Sequence, residues 1–369
     1  TVFKQNSGTV TYNGQAAMLT ELRKESPFWS HLHIDVLQDV LRRLDKAYKA
    51  FFRRVKNGEE PGYPRFKGKD RYRSFTYSHL AKRLIILTKG RLARLVVPKI
   101  GQIKIRLHRP LPDGSIKNLC IVRKASGWYA NIAMAVADVP KTEIQSAVGV
   151  DVGLESFLTI SDGEKVDNPR HLKASERLLK RLQRRLSKRK KGSQRRAKTR
   201  ERIAKLHEQI VNQRRDFHYK TAHRLYSQYD AVAVEDLTIA NMVQNHHLAQ
   251  SISDAAWGNF ILTLGSKAEN AGCHLLKVSP NGTSQRCSGC GETVKKSLAV
   301  RIHRCDFCGL VLDRDHNAAI NILRVASTLR GGALVVNSPE TLSKERKSRE
   351  SRKSLDERVH LQASPFRAG

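Results

Sequence analysis

The stretch AVGVDVG at residues 147–153 decides the fold, because its apolar run ends in an acidic residue, Asp151, and is followed by a glycine. This pattern predicts a buried strand and then a tight turn, and SFLTISDG at residues 156–163 predicts a second strand directly after it. Two further apolar runs, at residues 231–234 and 274–278, predict more strands. We expect these strands to form one unit in the second half of the chain.

Two long helices are predicted within this unit. Residues 172–186 and 202–229 form a helical hairpin, because Gly192 and Ser193 mark a bend between them. Residues 170–224 hold 21 Lys and Arg against 4 Asp and Glu, a charge of +17 that is half of the net charge of the chain. Charged helix faces are ordinary, but so many cations repel one another unless phosphates neutralise them. We therefore favour nucleic-acid binding by this hairpin over a merely solvated face.

The remaining predicted elements lie on either side of these helices. Residues 35–54 repeat apolar side chains at spacings of three and four and predict an amphipathic helix with a basic outer face. Residues 252–271 and 313–329 predict two more helices. Between residues 84 and 136, short β-rich runs separated by turn signals such as PDG at residues 112–114 predict a small antiparallel barrel or sheet.

The composition is typical of a protein that binds polyanions. The 369 residues carry 68 Lys and Arg against 34 Asp and Glu, a net charge of +34. A hydrophobic fraction of 40% is enough to bury cores in two or three compact units, which excludes a disordered basic tail. The sequence has no apolar run long enough for a membrane span and no secretory signal, so we expect a soluble, intracellular protein. Because the chain starts at Thr1 and its first methionine is Met18, we expect the natural start to be missing.

Four of the six cysteines form two C-x2-C pairs, Cys287 with Cys290 and Cys305 with Cys308, separated by 14 residues. Glycines split or follow the pairs, which lets the backbone fold around one ion. Four thiolates at this spacing suit tetrahedral Zn²⁺, and a closed four-cysteine shell leaves no open position for catalysis. We predict a structural zinc site and a reducing compartment; the alternative is four free buried thiols.

Three acidic residues stand at the ends of predicted elements in this basic chain. Asp151 and Glu235 each end an apolar strand, and Asp315 opens the last helix. Brought together, they could hold two Mg²⁺ ions about 4 Å apart, an arrangement that serves phosphodiester cleavage. A simpler alternative stays open, because acids at such positions commonly form turns and caps. Asp313 and Asp315 lie two residues apart on a helix and face different ways, so we expect only one of them to reach the site. Asp313 is the better candidate for the helix cap.

Four motifs in order resemble one family. They are GVDVG at residues 149–153, AVEDL at 233–237, TSQRCSGCG at 283–291 and DRDHNAAINI at 313–322. Their order is similar to that in TnpB, a family of transposon-encoded, RNA-guided DNA nucleases long described as OrfB-type transposases and related to the type V CRISPR nucleases. The resemblance extends from about residue 28 to residue 324.

The resemblance implies an α+β multidomain fold. A RuvC-like, RNase H-type α/β nuclease domain with an inserted zinc ribbon would follow a helical segment and a small antiparallel β-barrel, the wedge domain. Family members begin with a wedge strand and the first recognition helices, and neither precedes Thr1 in this sequence. We therefore expect the β-barrel, and the contacts that recognise the short motif beside the target, to be incomplete here. The predicted domains are a partial helical recognition domain at residues 1–57, the wedge domain at 58–140, the first part of the nuclease domain at 141–278 with the basic hairpin at 170–229, the zinc ribbon at 279–312, the last nuclease helix at 313–330 and a disordered tail at 331–369.

The resemblance also implies a function. Asp151, Glu235 and Asp315 become the catalytic acids that bind two Mg²⁺ ions, while the four cysteines hold a structural zinc ion. The protein is then a transposon-associated, Mg²⁺-dependent, RNA-guided DNA endonuclease that acts beside the nucleoid in a prokaryotic cytoplasm. Its partners are a guide RNA from its own locus and double-stranded target DNA, whose heteroduplex the hairpin follows by shape and charge.

Two alternatives of another class stay open at this point. One is a transposition regulator that binds DNA or RNA without guided cleavage. The other is an OrfB-type transposase that joins strands directly, for which a nucleophilic tyrosine with a paired-histidine metal motif, or an acid triad that acts on transposon ends, is expected.

Overall fold

The architecture comes from a computed structural model that describes residues 11–68, 71–78, 85–89, 92–297 and 300–329. The predicted tail at residues 331–369 lies outside them. The chain divides into two compact units, residues 1–137 and 138–369. The finer domain boundaries stay predictions. Among the described helices, none combines the length and apolar character that crossing a bilayer requires.

The first unit holds, within its described residues, three helices followed by six strands. The first helix starts where the Thr11 hydroxyl accepts a hydrogen bond from the backbone amide of Gly14 (3.2 Å), the usual role of threonine at a helix start. The elements are α1 (Tyr12–Glu25), α2 (Pro27–His31), α3 (Ile34–Lys56), β1 (Ser74–Tyr77), β2 (Ile85–Lys89), β3 (Leu92–Val97), β4 (Gly101–Arg106), β5 (Ser115–Arg123) and β6 (Trp128–Ala135).

These strands form two antiparallel sheets, ordered β1-β5-β6 and β2-β3-β4. The β-rich runs predicted in this part of the chain are thus strands, although β1 and β5 were not predicted. In β5 the pairing register shifts between Ile116 and Asn118, which interrupts the alternation that a sequence pattern relies on. The two sheets share one core of buried side chains, namely Tyr77, Leu95, Val97, Leu119 and Ile121.

The first predicted amphipathic helix is present as α3, but only part of its predicted apolar face is buried. Leu37 is buried, Val40 and Leu44 are exposed, and Asp39 is buried and contacts β1. The Asp39 carboxylate accepts a hydrogen bond from the Thr76 amide of β1 (3.0 Å) and pairs with Arg43 one turn along the helix (2.7 Å). Buried polar groups need partners, and these two satisfy Asp39. Polar side chains of α3 therefore contact the sheet.

The second unit is built on five strands with helices between them. Its elements are β7 (Ala147–Val152), β8 (Ser156–Ile160), β9 (Lys165–Asp167), α4 (His171–Ser187), α5 (Gln194–Gln228), β10 (Ala231–Glu235), α6 (Ile239–Met242), α7 (Ala249–Ala255), α8 (Trp257–Ala271), β11 (His274–Val278), β12 (Ile302–Arg304), β13 (Val311–Asp313) and α9 (Arg314–Leu329). The main sheet has the order β11-β10-β7-β8-β9, and β12 pairs with β13 separately.

Helices cover both faces of the main sheet. β10 runs parallel to its neighbours β7 and β11, whereas β8 and β9 are antiparallel. Because side chains alternate along a strand, Val148 and Val232 pack against α5, α7 and α8 on one face. Ala147, Ala231 and Ala233 pack against α9 on the other face.

Helix α9 lies directly against the backbone of β7. A Cβ atom on Gly149 would lie 2.1 Å from the carbonyl oxygen of Ala319 and 2.8 Å from the backbone nitrogen of Leu323. These distances leave no space for a side chain, so glycine at this position sets the separation between the helix and the sheet. The small residues on this face of the sheet serve the same close approach.

Several predicted boundaries differ from the structure for local reasons. The helix predicted at residues 252–271 is two helices, α7 and α8, because Ala256 adopts a left-handed conformation with φ of 54°. Helix α5 begins at Gln194, where the Ser193 hydroxyl caps it, rather than at residue 202. Strand β9 was not predicted, because three residues at a sheet edge carry too short a pattern.

We expect the substitution Gly149→Ala to destabilise the second unit by about 1–3 kcal/mol, because an added methyl group forces packed backbones apart. Thermal unfolding followed by circular dichroism should show a lower Tm. Gly265→Ala is the matched control, since a Cβ atom there contacts only Leu275 at 3.7 Å and alanine favours a helix interior. A Gly149→Ala variant as stable as Gly265→Ala would contradict the close contact.

Candidate functional site

The acids singled out in the sequence lie at one edge of the main sheet. Asp151 in β7 and Glu235 in β10 both follow the register pair of Val150 and Val234, so they lie at the carboxyl ends of neighbouring parallel strands. Alternation along the strands puts both residues on the face that α9 covers. The two carboxylates therefore approach one another from adjacent strands.

The third acid, Asp315, lies in the first turn of α9. The helix starts here because the Asp313 carboxylate accepts hydrogen bonds from the amides of Asp315 (3.0 Å) and His316 (3.2 Å), which confirms Asp313 as the cap. A Cβ atom on Gly153 would lie 3.8 Å from Oδ2 of Asp315, so this carboxylate faces the turn that follows β7. The start of α9 thus brings Asp315 to the edge where Asp151 ends its strand.

The carboxylates influence one another's ionisation. Burial raises the pKa of Asp151 well above its usual range, and the charges of Glu235 and Asp315 raise it further. Burial also raises the pKa of Glu235, while a hydrogen bond from the Thr283 hydroxyl to Oε1 opposes that rise. Burial alone would raise the pKa of Asp313, but hydrogen bonds from Lys165 and the helix amides lower it. A cation between the first three acids would relieve their repulsion.

Two arginines lie against Asp315. The Arg314 guanidinium donates two hydrogen bonds to Oδ1 of Asp315, at 3.1 and 3.2 Å. Nη1 of Arg301 lies 4.0 Å from Oδ2, and Nε of the same arginine pairs with Glu155 at 3.3 Å. Thr283 and Arg314 lie within the quoted motifs and Arg301 lies outside them, but none of the three was assigned a role, because a single basic or hydroxyl residue has no spacing that marks it.

The four cysteines form a candidate metal site. Among the described residues, they are the one group of three or more potential ligands whose atoms all lie within 4.8 Å of one another.

The two cysteine pairs form matching turns. In each, the amide of the glycine after the second cysteine donates to the carbonyl of the first cysteine at 2.9 Å. Both glycines, Gly291 and Gly309, have a positive φ, of 87° and 73°. Such angles favour glycine over any residue with a side chain. The glycines that the sequence analysis noted after each pair therefore shape the turns.

The donor set fits zinc. A regular tetrahedron with Zn–S distances of about 2.3 Å has sulfur atoms about 3.8 Å apart. Sγ of Cys287 lies 3.6 Å from Sγ of Cys308, and the same distance separates Cys290 from Cys305. Cys287 and Cys305 are buried, while Cys290 and Cys308 are exposed. Zn²⁺ is thus the ion that these residues would hold.

The thiols of one pair differ in acidity. Burial would raise the pKa of Cys287, but hydrogen bonds, chiefly from the amide of Cys290 and from His303, lower it to about 5. The amide of Glu292 lowers the pKa of Cys290, but burial and the neighbouring thiols raise it to about 12. Two adjacent thiolates repel each other because both are negatively charged. Both cysteines therefore ionise together only when a bound cation neutralises them.

The basic hairpin is fastened to the rest of the second unit. Helices α4 and α5 pack on each other through Leu179, Leu182, Leu206 and Ile210, which are buried. Asp254 of α7 accepts the amides of Leu172 (2.9 Å) and Lys173 (3.1 Å) at the start of α4, and it pairs with Arg214 of α5 (2.8 Å). One buried carboxylate therefore ties both helices to α7.

We expect Cys287→Ser to remove zinc from the protein, because three thiolates and a serine hydroxyl make a much poorer site for Zn²⁺. Mass spectrometry of metals should find about one zinc ion per chain in the wild type and little in the variant. Cys120→Ser is the matched control, since Cys120 lies outside the cluster. Zinc retained by Cys287→Ser would contradict the assignment.

A second prediction concerns pH. In the metal-free protein, a carboxyl group whose pKa is raised by folding favours the folded state at low pH, and this contribution is lost as the pH rises through the raised value. The Tm of the wild type should therefore fall relative to that of Asp151→Asn as the pH rises above about 4, the unfolded value. Thermal unfolding in Mg²⁺-free buffers measures this difference, and a constant difference would refute it.

Two family models match the chain. One, OrfB_IS605, is described as “Probable transposase” and matches residues 131–246; the other, the “Cas12f1-like, TNB domain”, matches residues 257–322. A protein of Streptomyces pristinaespiralis named “Putative RNA-guided DNA endonuclease” is 36% identical over 323 residues, which cover 85% of this chain and 77% of that protein. InsQ of Escherichia coli K12, which carries the same description, is 29% identical over 355 residues, or 91% and 86% of the two chains.

The fold has a counterpart among solved structures. The chain matches Cas12f1 in the cryo-EM structure of the Cas12f1–sgRNA–target DNA complex with a TM-score of 0.56, over 87% of this chain and 77% of that chain. The sequence identity of 14% limits this likeness to the fold. The extent of the match to the Streptomyces protein, together with the OrfB_IS605 model, shows that the chain belongs to the TnpB family, the OrfB proteins of IS605-type elements.

Proposed function

We propose that this chain is an RNA-guided DNA endonuclease of a transposable element, which cleaves phosphodiester bonds in a RuvC-like domain formed by the main sheet and its helices. The observation that carries the proposal is the meeting of Asp151, Glu235 and Asp315 on one face of the sheet. The names of two relatives support the activity. The two antiparallel sheets of the first unit would form the wedge domain, closed as a barrel.

Asp151, Glu235 and Asp315 would hold Mg²⁺, which prefers carboxylate oxygens. When bound, Mg²⁺ supplies the positive charge that activates a water molecule and neutralises the departing 3′ oxygen. Arg314 holds Oδ1 of Asp315, and Thr283 holds Oε1 of Glu235. These contacts hold the two side chains in place and engage one oxygen of each; the other oxygen of Asp315, Oδ2, lies 4.0 Å from Nη1 of Arg301.

The basic hairpin would bind the guide RNA and the target DNA. The charge of +17 belongs to residues 170–224, the two helices and the bend between them, and the helices pack on each other through a buried leucine and isoleucine cluster, so the cations are left to face phosphates. Binding of this kind reads backbone charge and shape, and base pairing with the guide selects the sequence. The guide would come from the protein's own locus, and the protein would act beside the nucleoid of a prokaryotic cell.

One observation favours a second candidate, since the family model carries the description “Probable transposase”. A transposase that joins strands directly would use the same acids on transposon ends. A strand-transfer assay with the purified protein and labelled transposon ends separates the two functions. Joined products without guide RNA would favour the transposase, and guide-dependent cutting without joining would favour the endonuclease.

Asp151→Ala should lower the rate of target cleavage by about 100-fold or more, because loss of the ion-binding acid removes several kcal/mol of transition-state stabilisation. The assay uses the protein purified with RNA expressed from its own locus and a plasmid that carries the matching target. Binding of the RNA and of the target, measured by gel shift, should be unchanged.

Asp167→Ala is the control for this test, since Asp167 is an exposed acid on the edge strand β9 of the same sheet. It should cleave at the wild-type rate. Cleavage by Asp151→Ala at the wild-type rate would contradict the assignment of the three acids as the ion-binding residues. If both variants lost cleavage equally, the cause would be the loss of one negative charge anywhere on the sheet, and not the loss of an acid of the site.

A further inference from the structure

Helix α9 has two buried asparagines on the side that faces the first cysteine turn. Asn317 is fully buried and Asn321 is 4% exposed. A buried amide is stable only when its donors and its acceptor find partners. The partners here are all backbone groups of one short segment, residues 283–288, which runs into the zinc cluster.

The amide of Asn317 holds the backbone on both sides of Cys287. Its Oδ1 accepts a hydrogen bond from the Ser288 amide at 2.9 Å, and its Nδ2 donates to the Arg286 carbonyl at 2.8 Å. Arg324, on the next turns of α9, donates to the Ser288 carbonyl at 2.6 Å. The first cysteine turn is thus docked on the helix that begins with Asp315.

Asn321 binds the same segment nearer to the carboxylates. Its Nδ2 donates to the Arg286 carbonyl at 2.7 Å and to the Thr283 carbonyl at 2.8 Å. Thr283 is 3% exposed, and its hydroxyl has two acceptors within reach, Oε1 of Glu235 and the Pro280 carbonyl at 3.2 Å. The carboxylate is the stronger acceptor because it is charged, so the hydroxyl donates to Glu235. Amides of Gln285 and Arg286 donate to the Gly282 carbonyl at 3.0 and 2.8 Å, so the segment between Thr283 and Cys287 forms a continuous turn.

We propose that Thr283 is a positioning residue for Glu235, and that the four-cysteine zinc site and the carboxylate site are coupled through residues 283–287. The inference rests on the proposed function of the three acids. The backbone of Glu235 is fixed by its place in the main sheet, beside β11, so only the orientation of its side chain depends on the hydroxyl of Thr283. The coupling therefore acts on ion binding by the acids and leaves the fold unchanged.

Coupling between two binding sites is reciprocal. If an ordered zinc turn holds Glu235 ready for an ion, an ion bound by the acids must in turn slow the loss of zinc. Removal of the Thr283 hydroxyl should break both effects at once. A role of Thr283 in packing alone would produce neither effect, since valine fills the same space.

Four variants test the proposal: Thr283→Val, Thr283→Ser, Thr221→Val and Asp151→Asn. The second keeps the hydroxyl, the third removes a hydroxyl from a buried threonine of α5, and the fourth removes an acid of the site. Mn²⁺ binding to the zinc-loaded protein without nucleic acid is measured by electron paramagnetic resonance. We expect Thr283→Val to weaken Mn²⁺ binding about fivefold or more, within the usual range for coupled sites, and Thr283→Ser and Thr221→Val to bind as the wild type does.

Two further readouts separate positioning from damage. Cleavage by Thr283→Val should recover at high Mg²⁺ concentration, because the defect lies in ion affinity and not in the reaction itself. Zinc release to a colorimetric chelator should be slowed by Mg²⁺ in the wild type and in Thr283→Ser, but not in Thr283→Val. Zinc content before release should be the same in these proteins.

The outcomes distinguish this inference from the proposed function. Mn²⁺ binding by Thr283→Val at the wild-type affinity would overturn the inference, provided that Asp151→Asn loses the ion. Equal weakening in Thr283→Val and Thr283→Ser would also overturn it, because the hydroxyl would then not be the cause. Unchanged binding by Asp151→Asn would instead overturn the carboxylate site on which the proposed function stands.

Discussion

The second unit depends on how closely the backbone of one helix approaches the backbone of one strand. At Gly149 the separation between β7 and α9 leaves no space for a side chain, and the alanines of the neighbouring strand extend the same flat surface. Because Ala319 and Leu323 of α9 must lie over Gly149, the position of the helix along the strand direction is also fixed. Its first turn therefore stands at the edge where β7 and β10 end, and its inner face meets the zinc turn.

This placement concentrates negative charge in a chain that is otherwise strongly basic. Three acids meet where burial and mutual repulsion favour the protonated form of Asp151, a costly arrangement for a protein that needs only to fold. Arg314 and Arg301 compensate part of it beside Asp315. The chain as a whole nevertheless carries a net charge of +34, which attracts phosphates to it.

Much of the fold could be predicted from local pattern. The apolar strands β7 and β10 and the glycines after each cysteine pair carry their conformation in a few adjacent residues. The burial of Asp39 in α3 could not be predicted, because its pairing with Arg43 and its hydrogen bond with β1 do not follow from hydrophobic periodicity. Tertiary contacts of this kind leave no trace in residue spacing.

The candidate site shows the same division. Asp151, Glu235 and Asp315 stood out because acids are scarce in this basic chain and these three stand at the ends of predicted elements. Residue pattern alone left both a magnesium site and simple turns or caps open, and the resemblance to TnpB favoured the site. Thr283 could not be found in this way. Its contact with Glu235 joins positions 48 residues apart in the sequence, and a threonine in a loop is common.

The position of α9 after the zinc segment also sets an order in time. Ribosomes make a chain from its amino end, so strands β7 and β10 and the basic hairpin leave the ribosome before Asp315 does. Until α9 follows, the alanine face of the sheet has no helix to cover it. Under the proposed function, a growing chain acquires its charge for RNA well before it acquires its third acid. Under that function, synthesis thus completes the basic hairpin before it completes the set of three acids.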